Sequence, residues 1–199
     1  MRRLFVSALL LTVVMTVLTG LAYPLAMTGV LQVAFRAQAN GSLVKSHGEV
    51  VGSALIGQNF TDPKGQPLVQ YFQPRPSAAG ANGYDAMASG GSNLAPSNPK
   101  LVDQVRSAEA AYRAFNAVPA NVKVPSDAVT TSGSGLDPDI SIANARLQAP
   151  RVAKARKLTV RAVDRLIVRA TQNRILGIMG EPVVNVLRLN ILLDELPGS

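Results

Sequence analysis

"LFVSALLLTVVMTVLTGLAYPLAMTGVLQVAF", Leu4 to Phe35, carries no charged side chain from end to end. A helix through it rises about 1.5 Å per residue, so it is longer than the roughly 20 residues needed to cross a bilayer. A cleaved signal peptide would use Arg2-Arg3 as its basic region, Leu4–Leu18 as its apolar core and Gly20-Leu21-Ala22 as a small-x-small cleavage site. A buried core helix is the third reading. The apolar run does not stop at Ala22, however, and Pro24 sits just past the proposed cut, which favours an uncleaved transmembrane helix.

Orientation follows from the flanking cations. Arg2 and Arg3 precede the span, only Arg36 follows it closely, and the next cation is Lys45. The N-terminus is therefore expected in the cytoplasm and the remainder outside, because long domains cross largely regardless of their own charge. The expected fold class is α+β. One N-terminal transmembrane anchor (residues 1–36) precedes a single loop-rich exported domain (residues 37–199). The 199-residue chain has a net charge of +8 and a pI near 10.3, with no cysteine and one histidine. Disulfides and thiolate chemistry are excluded. A basic exported domain faces anionic lipid or an acidic partner rather than nucleic acid.

Beyond the span, glycines 48, 52 and 57 punctuate strand-like material at Val50-Val51 and Ala54–Ile56, and "TDPKGQPLVQ" reads as an exposed loop. Asn98 and Pro99 predict a helix start, followed by Leu101, Val105, Ala108, Tyr112 and Phe115 at helical spacing. "PDISIANARLQ" predicts a short helix ending at Pro150, and "PRVAKARK" a second one starting there. Leu158 or Thr159 opens another, with Val163, Leu166, Ile167 and Ala170 on one face. Val183–Val186 predicts a strand and Leu189–Leu196 a final helix.

Catalytic patterns are thin. Ser97-Asn98-Pro99-Lys100 matches the S-x-x-K of exported serine hydrolases, but no K-T-G occurs and the proline serves helix initiation. A triad would need His47, in a polar linker. Asp137-Pro138-Asp139 lacks calcium-loop spacing and suits a turn and helix cap. No nucleotide-binding glycine motif is present. Between Arg146 and Arg174 nine cations face a single acid, Asp164, and Arg161, Arg165 and Arg169 fall at i, i+4, i+8. That stripe reads either as a solvated face or as a patch for lipid headgroups or an acidic subunit; without interleaved aromatics it does not suit single-stranded nucleic acid.

The other unusual stretch is "YFQPRPSAAGANGYDAMASGGSNLAPSNPKL", Tyr71 to Leu101. Chemistry does not explain it. Its glycines and prolines suit a long loop held in one shape and approached closely by a partner. Arg75 between two prolines is a stiffly presented cation, and Ser92, Asn93 and Asn98 suit local backbone bonding.

Several segments resemble the KdpC family, the C chain of the bacterial Kdp potassium-transporting P-type ATPase. They are "YPLA", "QANGSLV", "GSALIGQNF", "YFQPRPSA", "SGGSNLAPSNP", "VPSDAVTTSGSGLDPDIS", "QAPRVAKAR" and "GEPVVNVLRLNILLD", in the family's order and across nearly the whole chain. One departure is a longer connection, Pro63–Gln70, before Tyr71-Phe72. The resemblance implies a non-catalytic, single-pass inner-membrane subunit partnered by the potassium-conducting A chain, the ATP-hydrolysing B chain and the small F chain, with membrane lipid around its helix. It also implies a catalytic chaperone that raises the B chain's affinity for ATP. The glutamine of the family's Gln-x-x-Arg-Val stretch, linked to nucleotide, falls on Gln148. ATP is the one cofactor implied, and potassium is moved by the complex rather than by this chain. Because an outward domain lies across the membrane from cytoplasmic ATP, an indirect effect on nucleotide affinity is expected. "DKTGT" is absent, so ATP hydrolysis is not expected here. The loops Tyr71–Leu101 and Ser132–Ser141 are expected to dock on the A chain through Arg75, Ser77, Ser92, Asn93, Asn98, Ser134 and Asp137, with no metal site.

Overall fold

The structure is a computed structural model that describes residues 1–196. The chain divides into two compact units, Met1–Leu43 and Val44–Ser199. In the first, an uninterrupted apolar helical stretch runs Arg2–Ala34. It consists of α1 (Arg2–Val17), a π-helical turn Leu18–Ala22, and α2 (Tyr23–Ala34). The π turn has a local cause. Pro24 has no N–H for the Gly20 carbonyl and its ring crowds that turn, so the ladder widens just before it. Thr12 and Thr19 donate their hydroxyls to the Ala8 and Met15 carbonyls at 2.9 and 2.7 Å, which satisfies both inside the apolar helix. A single turn, α3 (Arg36–Ala39), follows.

The second unit begins with a hairpin, β1 (Leu43–Ser46) and β2 (Glu49–Ser53). His47 and Gly48 form its turn with φ of +50° and +87°, so the one histidine is a turn residue. After a long irregular stretch comes α4 (Pro99–Asn116), with Asn98 Oδ1 accepting from the Lys100 N–H at 2.9 Å as expected of a cap. Then follow β3 (Asp139–Ser141), α5 (Ile142–Ala155), α6 (Val160–Ala170), β4 (Thr171–Gln172), β5 (Val183–Asn185) and α7 (Val186–Asp194). The three short strands form an antiparallel sheet in the order β3-β5-β4, with Val184 opposite both Ile140 and Thr171.

The core lies among α5, α6, α7 and this sheet. Val152, Val163, Ile167, Val184, Leu189 and Leu193 are wholly buried, and Phe72 joins them from the irregular stretch. The expected α6 stripe of Val163, Leu166, Ile167 and Ala170 is its buried face. Elsewhere the elements differ from expectation. Pro150 ends no helix. It lies inside α5 on the solvent side, while Gln148, Ala149, Val152 and Ala153 face inward, so the packing of that face carries the helix through a missing donor. The stretch read as the first of those helices starts with strand β3, and the helix follows Ser141, whose hydroxyl accepts from the Asn144 N–H at 3.0 Å. The last helix starts at Val186 because the Asn185 side chain caps it through the Arg188 N–H.

Candidate functional site

Two of the residues expected to meet a partner, Arg75 and Asp137, bond each other. Arg75 extends from the irregular stretch to Asp137, Nη1 to Oδ2 at 2.8 Å, and its Nη2 donates to the Thr130 and Thr131 carbonyls. Its Nε is buried with no acceptor. Ser77 donates its hydroxyl to the Gly135 carbonyl at 2.6 Å and accepts from the Ala79 and Tyr84 N–H groups. Ser134 is exposed, but its carbonyl accepts from Gly90 N–H and the Ser89 hydroxyl. Thr131 donates weakly to Ser92 at 3.4 Å. The Tyr71–Leu101 and Thr130–Ser141 loops are thus clasped together.

Glycine makes the clasp possible by letting these two loops approach. Gly135 has φ +69°, and a Cβ there would stand 2.6 Å from the Gly90 carbonyl and 2.7 Å from Ala79 Cβ. A Cβ on Gly57 would meet the Tyr84 ring at 2.4 Å. Tyr84 donates to the Arg75 carbonyl at 2.7 Å, and burial, with the Asp137 charge nearby, pushes its phenol pKa far up. Of the seven expected contact residues, Arg75, Ser77 and Asp137 are partly buried inside the clasp. Ser92 sits at its edge, Asn98 is occupied as a helix cap, and Asn93 and Ser134 are exposed. Asn93 holds φ +50°, a left-handed conformation asparagine tolerates.

A second set of bonds holds the segment before Arg75. Residues 69–73 lie in no sheet, yet their backbone groups are paired by side chains. Gln148 accepts from the Gln73 N–H at 2.8 Å and donates to the Gln73 carbonyl at 3.0 Å; its other bonds go to Asn144 Oδ1 and Arg151 Nη2. Every hydrogen-bonding position of this buried amide is filled within the domain. Asn190 does the same for the preceding residue, accepting from the Phe72 N–H at 2.9 Å and donating to its carbonyl at 3.0 Å. Arg151 donates to the Tyr71 carbonyl at 2.9 Å and to Val69, lies over the Phe115 ring, and has its pKa brought down to about 10 by burial. Arg156 donates to the Gln70 carbonyl and pairs with Asp194 at 2.7 Å, stacked on Tyr71.

Neither the two-amide brace nor these arginines were expected. A signal was present: Asn144, Gln148 and Arg151 recur at i, i+4, i+7, the spacing of a buried stripe, but in polar residues. The basic run accordingly splits. Arg151 and Arg156 serve the interior and Arg174 pairs with Glu181, while Arg161, Arg165 and Arg169 are exposed on α6 opposite its apolar face with no ion pair among the described residues.

A cleft of about 960 Å³ opens beside the clasp, between the Thr61–Pro67 loop, the Gln73–Ser77 segment and the Ala108, Tyr112 and Phe115 face of α4. The Thr61–Pro67 loop is shaped by Asp62 Oδ1, which accepts from the Lys64 and Gln66 N–H groups at 2.8 Å. Ser97 and Lys100 stand exposed on either side of the α4 cap. No group of three or more metal-ligating side chains occurs among the described residues.

The chain thus joins one apolar helix of membrane-spanning length to an α+β domain whose loops are braced from within. The family model described as K+-transporting ATPase, c chain, matches residues 5–195, and the chain belongs to this KdpC family. It is similar to the protein named potassium-transporting ATPase KdpC subunit from Mycobacterium tuberculosis, 57% identical over 196 residues, 98% of this chain and 100% of that one. It is also similar to the proteins of that name from Caulobacter vibrioides, 58% identical over 180 residues, 90% of this chain and 86% of that one, and from Caulobacter sp., 58% identical over the same share of this chain and 87% of that one.

Proposed function

We propose that this chain is the non-catalytic accessory subunit of an ATP-driven potassium pump, anchored by its apolar helix and assembled with the pump's A, B and F chains. The observation that carries the reading is the family match over residues 5–195, which takes in helix, clasp and brace together. Arg2 and Arg3 keep the N-terminus in the cytoplasm, so the domain lies outside the inner membrane. Docking on the A chain uses the exposed edge of the clasp at Asn93 and Ser134. Arg75, Ser77 and Asp137 give that edge its shape.

The subunit raises the B chain's ATP affinity indirectly, by favouring the pump state that binds ATP better. Gln148 contributes through the domain's shape, since its amide already has partners at every position. ATP is hydrolysed by the partner and potassium passes through the complex.

The test is gentle solubilisation of the tagged full chain from its native membrane under potassium starvation. Stoichiometric recovery of a P-type ATPase chain and a channel-like chain is expected, and Asn93→Lys, at an exposed position, should lower that recovery several-fold. Recovery of the chain alone would overturn the reading.

A further inference from the structure

One segment has no use in the clasp, the brace or the core. Between β4 and β5 the chain runs out to a narrow tip, residues 174–181, and turns back. The Ile175 and Met179 backbones pair at 2.9 and 3.0 Å, and Arg174 and Glu181 close its base at 2.8 Å. Leu176 and Gly177 turn the tip with φ of +54° and +77°. Its large side chains point away from the protein: Ile175 is 67% exposed, Leu176 83%, Ile178 75% and Met179 51%. Four aliphatic side chains on one projecting turn are costly to leave in water.

We propose that this tip enters the interfacial region of a bilayer containing anionic phospholipid, with the exposed arginines of α6 at the headgroups. Three observations select lipid as the occupant. The exposed side chains of residues 175–179 are apolar and carry no ring or charge, and fluid acyl chains accept them without a matching pocket. Charge is complementary, because Arg161, Arg165 and Arg169 are exposed on the helix that leads through a two-residue strand into the tip, with no ion pair among the described residues. The tether keeps the domain close to the bilayer. Only residues 35–43 separate the end of α2 from the domain, so an inserted helix holds the domain's first residue within about 30 Å of the membrane. The inference rests on the proposed anchoring of that helix. Insertion of the tip would give the domain a second membrane attachment and restrict its rotation about the tether.

The chain has no cysteine, so single cysteines report one place each. The full chain is reconstituted in phosphatidylcholine–phosphatidylglycerol vesicles with brominated acyl chains. A nitrobenzoxadiazole label is placed at Ile178→Cys, at Thr16→Cys within the helix, and at Ser107→Cys on the outer face of α4. Expected is strong quenching at Thr16, clear quenching of about half the emission at Ile178, and little at Ser107. Omitting phosphatidylglycerol, or making Arg165→Gln with Arg169→Gln, should reduce the Ile178 quenching several-fold; no change would overturn the role given to the arginines. Quenching at Thr16 but not at Ile178 would overturn the tip proposal and leave the anchor standing. Quenching at neither would remove both. A label at Ile178 that shifts to the blue only with the other pump chains present, without lipid quenching, would assign the tip to a protein interface and overturn the proposal.

Discussion

Two irregular regions of the domain invert the usual relation between composition and position. Residues 71–90, rich in Ala, Gly, Ser and Pro, have the composition of a mobile surface loop, yet residues 71–73 are braced by Gln148, Arg151 and Asn190, and Ser77 and Gly90 are bonded to the Thr130–Ser141 loop. Residues 175–179, made of Ile, Leu, Gly and Met, have the composition of a core, yet they project into solvent and are bonded mainly to themselves. The difference lies in how backbone groups find partners. A segment that cannot join a sheet can still be buried if side-chain amides supply both a donor and an acceptor per residue. An apolar turn that closes its own hydrogen bonds can be left outside.

The largest expected effect is on the brace. Gln148→Leu leaves the Gln73 N–H and carbonyl inside the protein without partners and should destabilise the domain by about 3 kcal/mol, with Asn190→Leu similar at Phe72. Denaturant unfolding of the full chain in detergent reads this, and a loss below about 0.5 kcal/mol would mean the amides only decorate the segment. Next comes Gly135→Ala, which forces a Cβ against Gly90 and Ala79 at a positive φ. It should cost about 2 kcal/mol and loosen both loops together, seen as faster proteolysis in each.

A smaller effect concerns pH. Burial raises the pKa of Asp139, opposed by its hydrogen bond from Asn185. A carboxyl raised on folding contributes stability fully below its unfolded value of about 4 and loses it as pH rises through the folded value. Asp139→Asn should therefore flatten the fall in stability above that range, as followed by thermal unfolding across pH. Least of all should follow from Leu176→Ser with Met179→Ser. Stability should stay within about 0.5 kcal/mol because these side chains pack on little, and a larger loss would show that the tip is part of the fold.

Much of this was legible from the residues. The apolar run read as one long helix, the Asn98-Pro99 start of α4 and the α6 stripe follow from periodicity and capping, which are local. The helix through Pro150 was not legible, because it depends on which face of α5 meets the core. Arg75 and Ser77 were singled out as special, but their partners, Asp137 and Gly135, lie about sixty positions along the chain. Distant pairing leaves no local period. The same limit hid the brace, in which Gln148 and Asn190 take up neighbouring residues 75 and 118 positions before them.

Peptide-level hydrogen exchange on the full-length protein in detergent, without phospholipid, tests the central contrast most directly. Expected is strong protection of the amides of Phe72, Gln73, Tyr84 and Gly135, comparable to that of α5 and α7, with fast exchange across residues 174–181. Fast exchange throughout residues 71–90, at the rate of the apolar tip, would contradict a loop braced from within.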